Sequence, residues 1–266
     1  MNGLPLRLLK WVFLGLVALY LITPLAIVTG VSFNTQPIMN FPPIQPSLHW
    51  YTQFFSDAGW VSALEVSLSV ALGASLLAGL IAFPIAYIGW KRASWLTRLL
   101  NGLGALPFML PLVVLAVVFL VFWSWLGLAG HMGSTVVSHA MVFAAMPLAF
   151  ITLGFSSIDN SLIESARTMG ARDNEILRTI ILPIVMPYVS SGLVFVFVSS
   201  LNEYIIAYLV AGFTVETLPI KVFNSLRMGF QPTMCVGAVL FMALGIAAFS
   251  LVARIGDLSK LLGGRA

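Results

Sequence analysis

Six long apolar runs, at 11–33, 62–90, 103–126, 136–158, 188–211 and 234–253, alternate along the chain with shorter polar segments. Each has about the 20 residues that an α-helix needs to cross a hydrocarbon layer roughly 30 Å thick. Lipid offers backbone amides no water, so such a run must close its own hydrogen bonds as a helix. The pattern predicts an all-α membrane protein with six transmembrane helices in one permeating domain over residues 1–266.

The flanks refine this picture. Arg7 and Lys10 before the first run imitate a signal peptide, but the run is too long, so an uncleaved anchor is expected. Residues 34–61 carry Pro37, Pro42, Pro43 and Pro46, which keep the chain extended, then Trp50, Tyr51, Phe54, Phe55 and Trp60, a set that suits the headgroup level. Ala71, Ser75 and Gly79 recur every fourth residue in the second run, a small-residue stripe that lets a neighbouring helix come close. Residues 212–232 read as an outer loop holding Lys221 and Arg227, either a contact for an outer partner or a solvated connector.

One segment is polar beyond the others. Residues 161–183 hold six of the chain's charged residues. Ser161 followed by Glu164 predicts a capping box. A short helix then reaches Met169, and Gly170 takes the left-handed position that ends it. Asp173 is the expected cap of a second helix, with Ile176, Leu177, Ile180 and Ile181 as its apolar stripe. Pro183 and Pro187 open the next span, where early prolines are tolerated. The prediction is helix, glycine turn, helix: a knob with a polar outer face.

Charge orients the chain. If loops alternate sides, Arg7, Lys10, Lys91, Arg92, Arg98, Arg167, Arg172, Arg178, Arg254, Lys260 and Arg265 share one side, against Lys221 and Arg227 on the other. The positive-inside rule then puts both termini and the knob in the cytoplasm.

Composition narrows the function. The chain is 60% hydrophobic and 8% charged, against about 25% charged in soluble domains. Its basic residues are spread over loops, which argues against nucleic acid. Cys235 is the single cysteine, so no internal disulfide or cysteine cluster is expected. His49, His131 and His139 are placed at the outer edge without zinc-ligand spacing, and no metal site is expected. There is no phosphate loop, no His-Glu-x-x-His and no Gly-x-Ser-x-Gly, so the chain is read as having no catalytic residues and no cofactor.

Glu203 is the chain's outstanding single residue. It lies in Ser199-Ser200-Leu201-Asn202-Glu203-Tyr204, inside the fifth run, where a carboxylate is costly. Either it lines a substrate path with Asn202 and Tyr204, favouring a cation, or it is a structural carboxylate bonded to a neighbouring helix. A stand-alone secondary carrier or channel using Glu203 is the competing class.

The spacing Glu164-Ser165-Ala166, then Gly170, then Ile180, Leu182 and Pro183 resembles the coupling-loop signature of the inner-membrane subunits of type I ABC importers. Ser165 replaces the first alanine of that pattern. Ser32-Phe33-Asn34, the stretch Phe83-Pro84-Ile85-Ala86-Tyr87, and Thr217-Leu218-Pro219 are similar to the polyamine (spermidine/putrescine) group. Ferric-ion and aminophosphonate permeases look alike at this level. The resemblance implies a bacterial inner-membrane, multi-pass subunit coupled through 161–183 to two copies of a separate ATPase. It also implies a second, non-identical permease subunit, a periplasmic binding protein, and a small cationic substrate.

Overall fold

The computed structural model describes residues 4–92 and 94–255. Lys260 and Arg265, part of the orientation argument, lie outside the described residues. The chain divides into two compact units, one of residues 1–62 and 221–243, the other of residues 63–220 and 244–266.

In the first unit, α1 (Leu4–Ser32) ends where the Ser32 hydroxyl meets the Tyr51 phenol at 2.8 Å. Asn34 folds the following segment by donating from its amide to the Ile38 and Asn40 carbonyls, both at 2.9 Å. A short helix, α2 (His49–Ser56), follows. Trp50, Phe54 and Trp60 are buried, with the Phe54 and Trp60 rings 5.5 Å apart. Part of the aromatic stretch expected at headgroup level thus packs inside the protein. Trp50 and Phe54 stand four residues apart on one face of α2, Trp60 comes to Phe54 from the start of α3, and Phe55 stays exposed. Asp57 then caps α3 (Ala58–Lys91), accepting from the Gly59 amide at 2.7 Å.

The second unit is organised by bends. Among the described residues of the whole chain, four helical stretches are long and apolar enough to cross a bilayer: Arg7–Ser32, Ala58–Lys91, Asp173–Asn202 and Thr233–Arg254. Two further pairs are broken, so the count reaches six only if each pair makes one span. The expected third span is two helices, α4 (Trp95–Met109) and α5 (Leu112–Trp125), at 110° to each other. Pro111 forces Leu110 before it into an extended conformation, ψ 145°, and the helix cannot continue. The expected fourth span is α6 (Met132–Phe143) and α7 (Ala145–Ser156), bent by 49°. Pro147 is the cause: its ring crowds the carbonyl four residues earlier, that of Phe143.

The expected fifth run, 188–211, lies in a longer helical region that starts earlier and is interrupted before its end. Helix continues from α9 (Asp173–Ile176) through one wide turn at Leu177–Ile181 into α10 (Leu182–Asn202). The Leu182 amide reaches back five residues to the Leu177 carbonyl, and Pro183 next to it has no N–H to offer a regular turn. At its far end α10 stops at Asn202, and α11 (Ile205–Ala211) starts anew. The expected connector 212–232 contains a helix, α12 (Leu218–Met228), whose first amide donates to the Ser67 hydroxyl at 2.7 Å. The last span is α13 (Thr233–Ile255), close to its expected bounds.

Close packing uses small residues, as the stripe in α3 predicts. Ala71, Ala74, Ala78, Ala82 and Ala86 are almost fully buried. A side chain on Gly79 would meet Leu193 of α10. α7 and α10 also pack closely, in part backbone against backbone. A Cβ on Gly192 would lie 2.7 Å from the Pro147 Cα, and one on Gly154 would lie 2.9 Å from the Tyr188 ring. Around the break between α10 and α11, Ala116, Phe119, Trp123, Ala140, Phe143, Val196, Ile206 and Val210 form one apolar cluster. Inside it the Trp123 indole donates to the Ser138 hydroxyl at 2.8 Å, so its buried N–H is satisfied.

Candidate functional site

The knob is capped two residues earlier than its sequence suggests. α8 spans Asn160–Thr168, and its cap is Asp159, whose carboxylate accepts from the Ser161 amide at 2.9 Å. That bond holds the Asp159 carboxyl below its ordinary value of 3.8. Ser161 is therefore inside the helix and does not form the predicted capping box with Glu164. The carboxylate two residues before it is the stronger acceptor and takes the role.

Gly170 ends α8 at φ +87°. Its amide donates to the Arg167 carbonyl and that of Ala171 to the Ala166 carbonyl, each at 3.0 Å. This pair of bonds is the Schellman arrangement, which needs a left-handed residue at this position. Ala166 and Ala171 are half-buried and pack into the same apolar cluster. The second helix is capped differently from the expectation. Arg172 is the extended residue before it, and the Glu175 carboxylate accepts from the Arg172 amide at 2.8 Å. Asp173 is already helical and pairs with Arg167 at 3.1 Å, an exposed ion pair worth little on its own.

The knob is anchored from below and polar above. Ile163 and Ile176 are buried against Ile158, Ile181, Val185, Phe155, Ala82 and Ala86. Glu164, Ser165, Gly170 and Pro183 are exposed, and Ile180 and Leu182 are half-buried. Since α9 runs on into α10, the second helix of the knob is the first turn of one helical stretch, residues 173–202, about 45 Å long at 1.5 Å per residue.

The other end of that stretch is the break at Glu203. Glu203 is extended, φ −78° and ψ 127°, and 6% exposed. Its carboxylate accepts from the Ile206 amide at 2.9 Å and the Ala207 amide at 3.0 Å. These are amides that the interrupted helix leaves without intrahelical acceptors, and in lipid they must be satisfied from within. The third partner is His139 of α6, whose Nε2 is 3.0 Å from Oε2 of Glu203. The ring's Nδ1 is 2.7 Å from the Ser200 hydroxyl. With Nε2–H donating to the carboxylate, Nδ1 accepts from Ser200, so a neutral ring satisfies every bond.

Asn202 is turned away from this cluster. Asn202 is exposed and donates back to the Val198 carbonyl at 2.8 Å. Tyr204 stacks on Tyr208, ring centres 5.3 Å apart. The three residues predicted to share a path thus face different surroundings, with the carboxylate inside.

His139 is fully buried, and its part in this cluster was not among the sequence expectations. A sequence signal was present. Thr135 and His139, and Ser134 and Ser138, each stand four residues apart within an apolar run, which puts polar groups on one helix face. Polar residues in a span turn by default toward a protein interior.

The knob and the break are features of a chain with clear relatives. Residues 74–257 match the family described as binding-protein-dependent transport system inner membrane component. The chain is 28% identical over 264 residues to the spermidine/putrescine transport system permease protein PotC of Shigella flexneri, covering 97% of this chain and 98% of that one. It is 29% identical over 265 residues to the putrescine transport system permease protein PotI of Escherichia coli K12, covering 94% and 92%. Among solved structures, a bacterial ABC transporter involved in the import of alginate aligns over 96% of this chain and 97% of its own, with TM-score 0.68 and 18% identity.

Proposed function

The chain belongs to the family of binding-protein-dependent transport system inner membrane components, and from that premise we propose that it moves a small organic cation of the polyamine class by coupling to an ATPase through residues 161–183. It is the permease subunit of an ABC importer, a multi-pass protein of the bacterial inner membrane, and ATP is hydrolysed by a separate partner. The substrate class rests on the printed names of PotC and PotI, which align over nearly the whole chain.

The observation that carries the coupling role is the construction of the knob. Its outer face, with Glu164, Ser165 and Gly170, is exposed, while Ile163 and Ile176 fix it to the spans. A push on this face is delivered into a single helical stretch that ends at Glu203. In the proposed cycle two ATPase copies close on ATP. The knob moves with them as a rigid body, and the spans around α7 and α10 alternate access across the membrane. A second, non-identical permease and a periplasmic binding protein complete the assembly. Both termini and the knob are cytoplasmic, in accord with the distribution of Lys and Arg.

Glu203 has a different place in this account from a substrate ligand. Its carboxylate is occupied by two amides and His139, so selectivity for a cation does not draw on it in this conformation. A stand-alone carrier using Glu203 is not favoured, because the family works with a partner ATPase.

The test is purification of the chain from its native membrane, followed by reconstitution into vesicles. Recovery of an ATPase and a second permease, with ATP-dependent uptake of spermidine or putrescine, is expected. Uptake driven by an imposed ion gradient without ATP would overturn the reading.

A further inference from the structure

A break in a membrane helix is expensive unless every freed group is satisfied, and here the satisfaction has two parts that differ in purpose. Glu203 alone caps the Ile206 and Ala207 amides. That cap needs no other helix. His139 does something the cap does not require. Through one ring it joins α6 to Ser200, in the last turn of α10, and to Glu203, at the break itself. The ring is fully buried. No Lys, Arg or Asp and no other Glu occurs on α5, α6, α7, α10 or α11, so no second charged group on these helices can take over the carboxylate.

We propose that His139 is a positioning residue for transport, a strut that fixes the angle between α10 and α11 by tying the last turn of α10, and the Glu203 carboxylate that caps α11, to α6. This rests on the proposed coupling role of the knob. A displacement entering at residues 173–176 travels along α10 and reaches the break. If the break is held, the movement passes to α6 and α11. If it is loose, the break flexes and absorbs the movement. Losing the strut leaves the backbone cap intact, so the helices still insert and pack, but the stroke is lost.

The test uses the assembled complex of permeases, ATPase and binding protein in vesicles, with spermidine or putrescine as the probe. Uptake and ATP hydrolysis are both read per assembled complex. His139→Ala is expected to lower maximal uptake about tenfold while hydrolysis persists, a coupling loss within the range that single residues produce. The KM for substrate should stay near wild type, since His139 touches no substrate. His139→Gln, whose amide can still donate to the carboxylate, should recover most of the uptake. If His139→Ala transports normally per complex, or if His139→Gln is as defective as His139→Ala, the strut is refuted. If His139→Ala does not assemble, Ser200→Ala decides the matter: it removes only the hydroxyl under the ring, and unchanged uptake would refute the role. Wild-type uptake that ignores ATP and follows an ion gradient would instead refute the coupling reading on which the strut depends.

Discussion

The Nε2 of His139 lies 3.0 Å from the Oε2 of Glu203, the two residues being 64 positions apart in the chain and both side chains buried. A buried hydrogen-bonded pair of this kind contributes little net stability when intact, but leaving one member alone is costly. The two residues should therefore behave as a unit. A cycle of His139→Ala, Glu203→Gln and the double variant is expected to be strongly non-additive in uptake per complex, with the double variant close to the worse single one. If Glu203 instead presented its charge to substrate independently, the two defects would multiply, and Glu203→Gln alone would raise the KM for a cation.

Gly170 has open space around its missing side chain but a φ of +87°. A substitution there meets no clash, and its cost is backbone strain alone, about 1–2 kcal/mol for a left-handed L-residue. Gly170→Val should block uptake while the protein remains in the membrane at normal amount. Gly170→Asn, which tolerates the left-handed region better, should keep a larger part of the activity. Quantitative blotting beside uptake checks both.

Gly192 is the opposite case, since its conformation is ordinary and its space is not. A Cβ would sit 2.7 Å from the Pro147 Cα, a backbone atom that cannot rotate away. Alanine gains about 1 kcal/mol in helix propensity over glycine, whereas overpacking costs about 1–3 kcal/mol. Gly192→Ala is therefore expected to lower the thermal unfolding temperature in detergent. Gly245→Ala, where nothing lies within 4 Å, should be neutral or stabilising.

The cap of α8 should depend on pH in one direction. The Asp159 carboxyl is held below 3.8 by the Ser161 amide. A group whose value is lowered on folding stabilises the fold above its unfolded value, and the benefit fades as pH falls through the folded one. Protection of the Ser161 amide against hydrogen exchange should be unchanged from neutral pH down to the carboxylate range and fall below it. Asp159→Ala should remove that pH dependence.

The parts of this molecule that depend on local chemistry are legible in its sequence. Apolar runs mark the helices, and Gly170 marks the turn, because only backbone rules are involved. Asp159 and Arg172 displaced the expected caps by one or two residues, which reflects competition between neighbouring acceptors. Pro111 and Pro147 announce that something bends, but the angles of 110° and 49° are set by packing. The aromatic set at 50–60 could sit at a headgroup or in a core, and composition does not choose. Least legible is the break at Glu203. Leu201-Asn202-Glu203-Tyr204-Ile205 contains neither glycine nor proline, and the carboxylate at the interruption bonds His139, a partner that only the folded chain brings near.

The central claim is that residues 161–183 receive the motion of an ATPase, and the most direct measurement is a cross-link from the exposed Ser165. With Cys235 replaced by serine, Ser165→Cys in the native complex should form a cross-link to the ATPase through a thiol-reactive bridge. The link should stop uptake and be reversed by reduction. A cysteine at 165 that is labelled only from the outer face, or that never links to an ATPase present in the complex, would contradict the account.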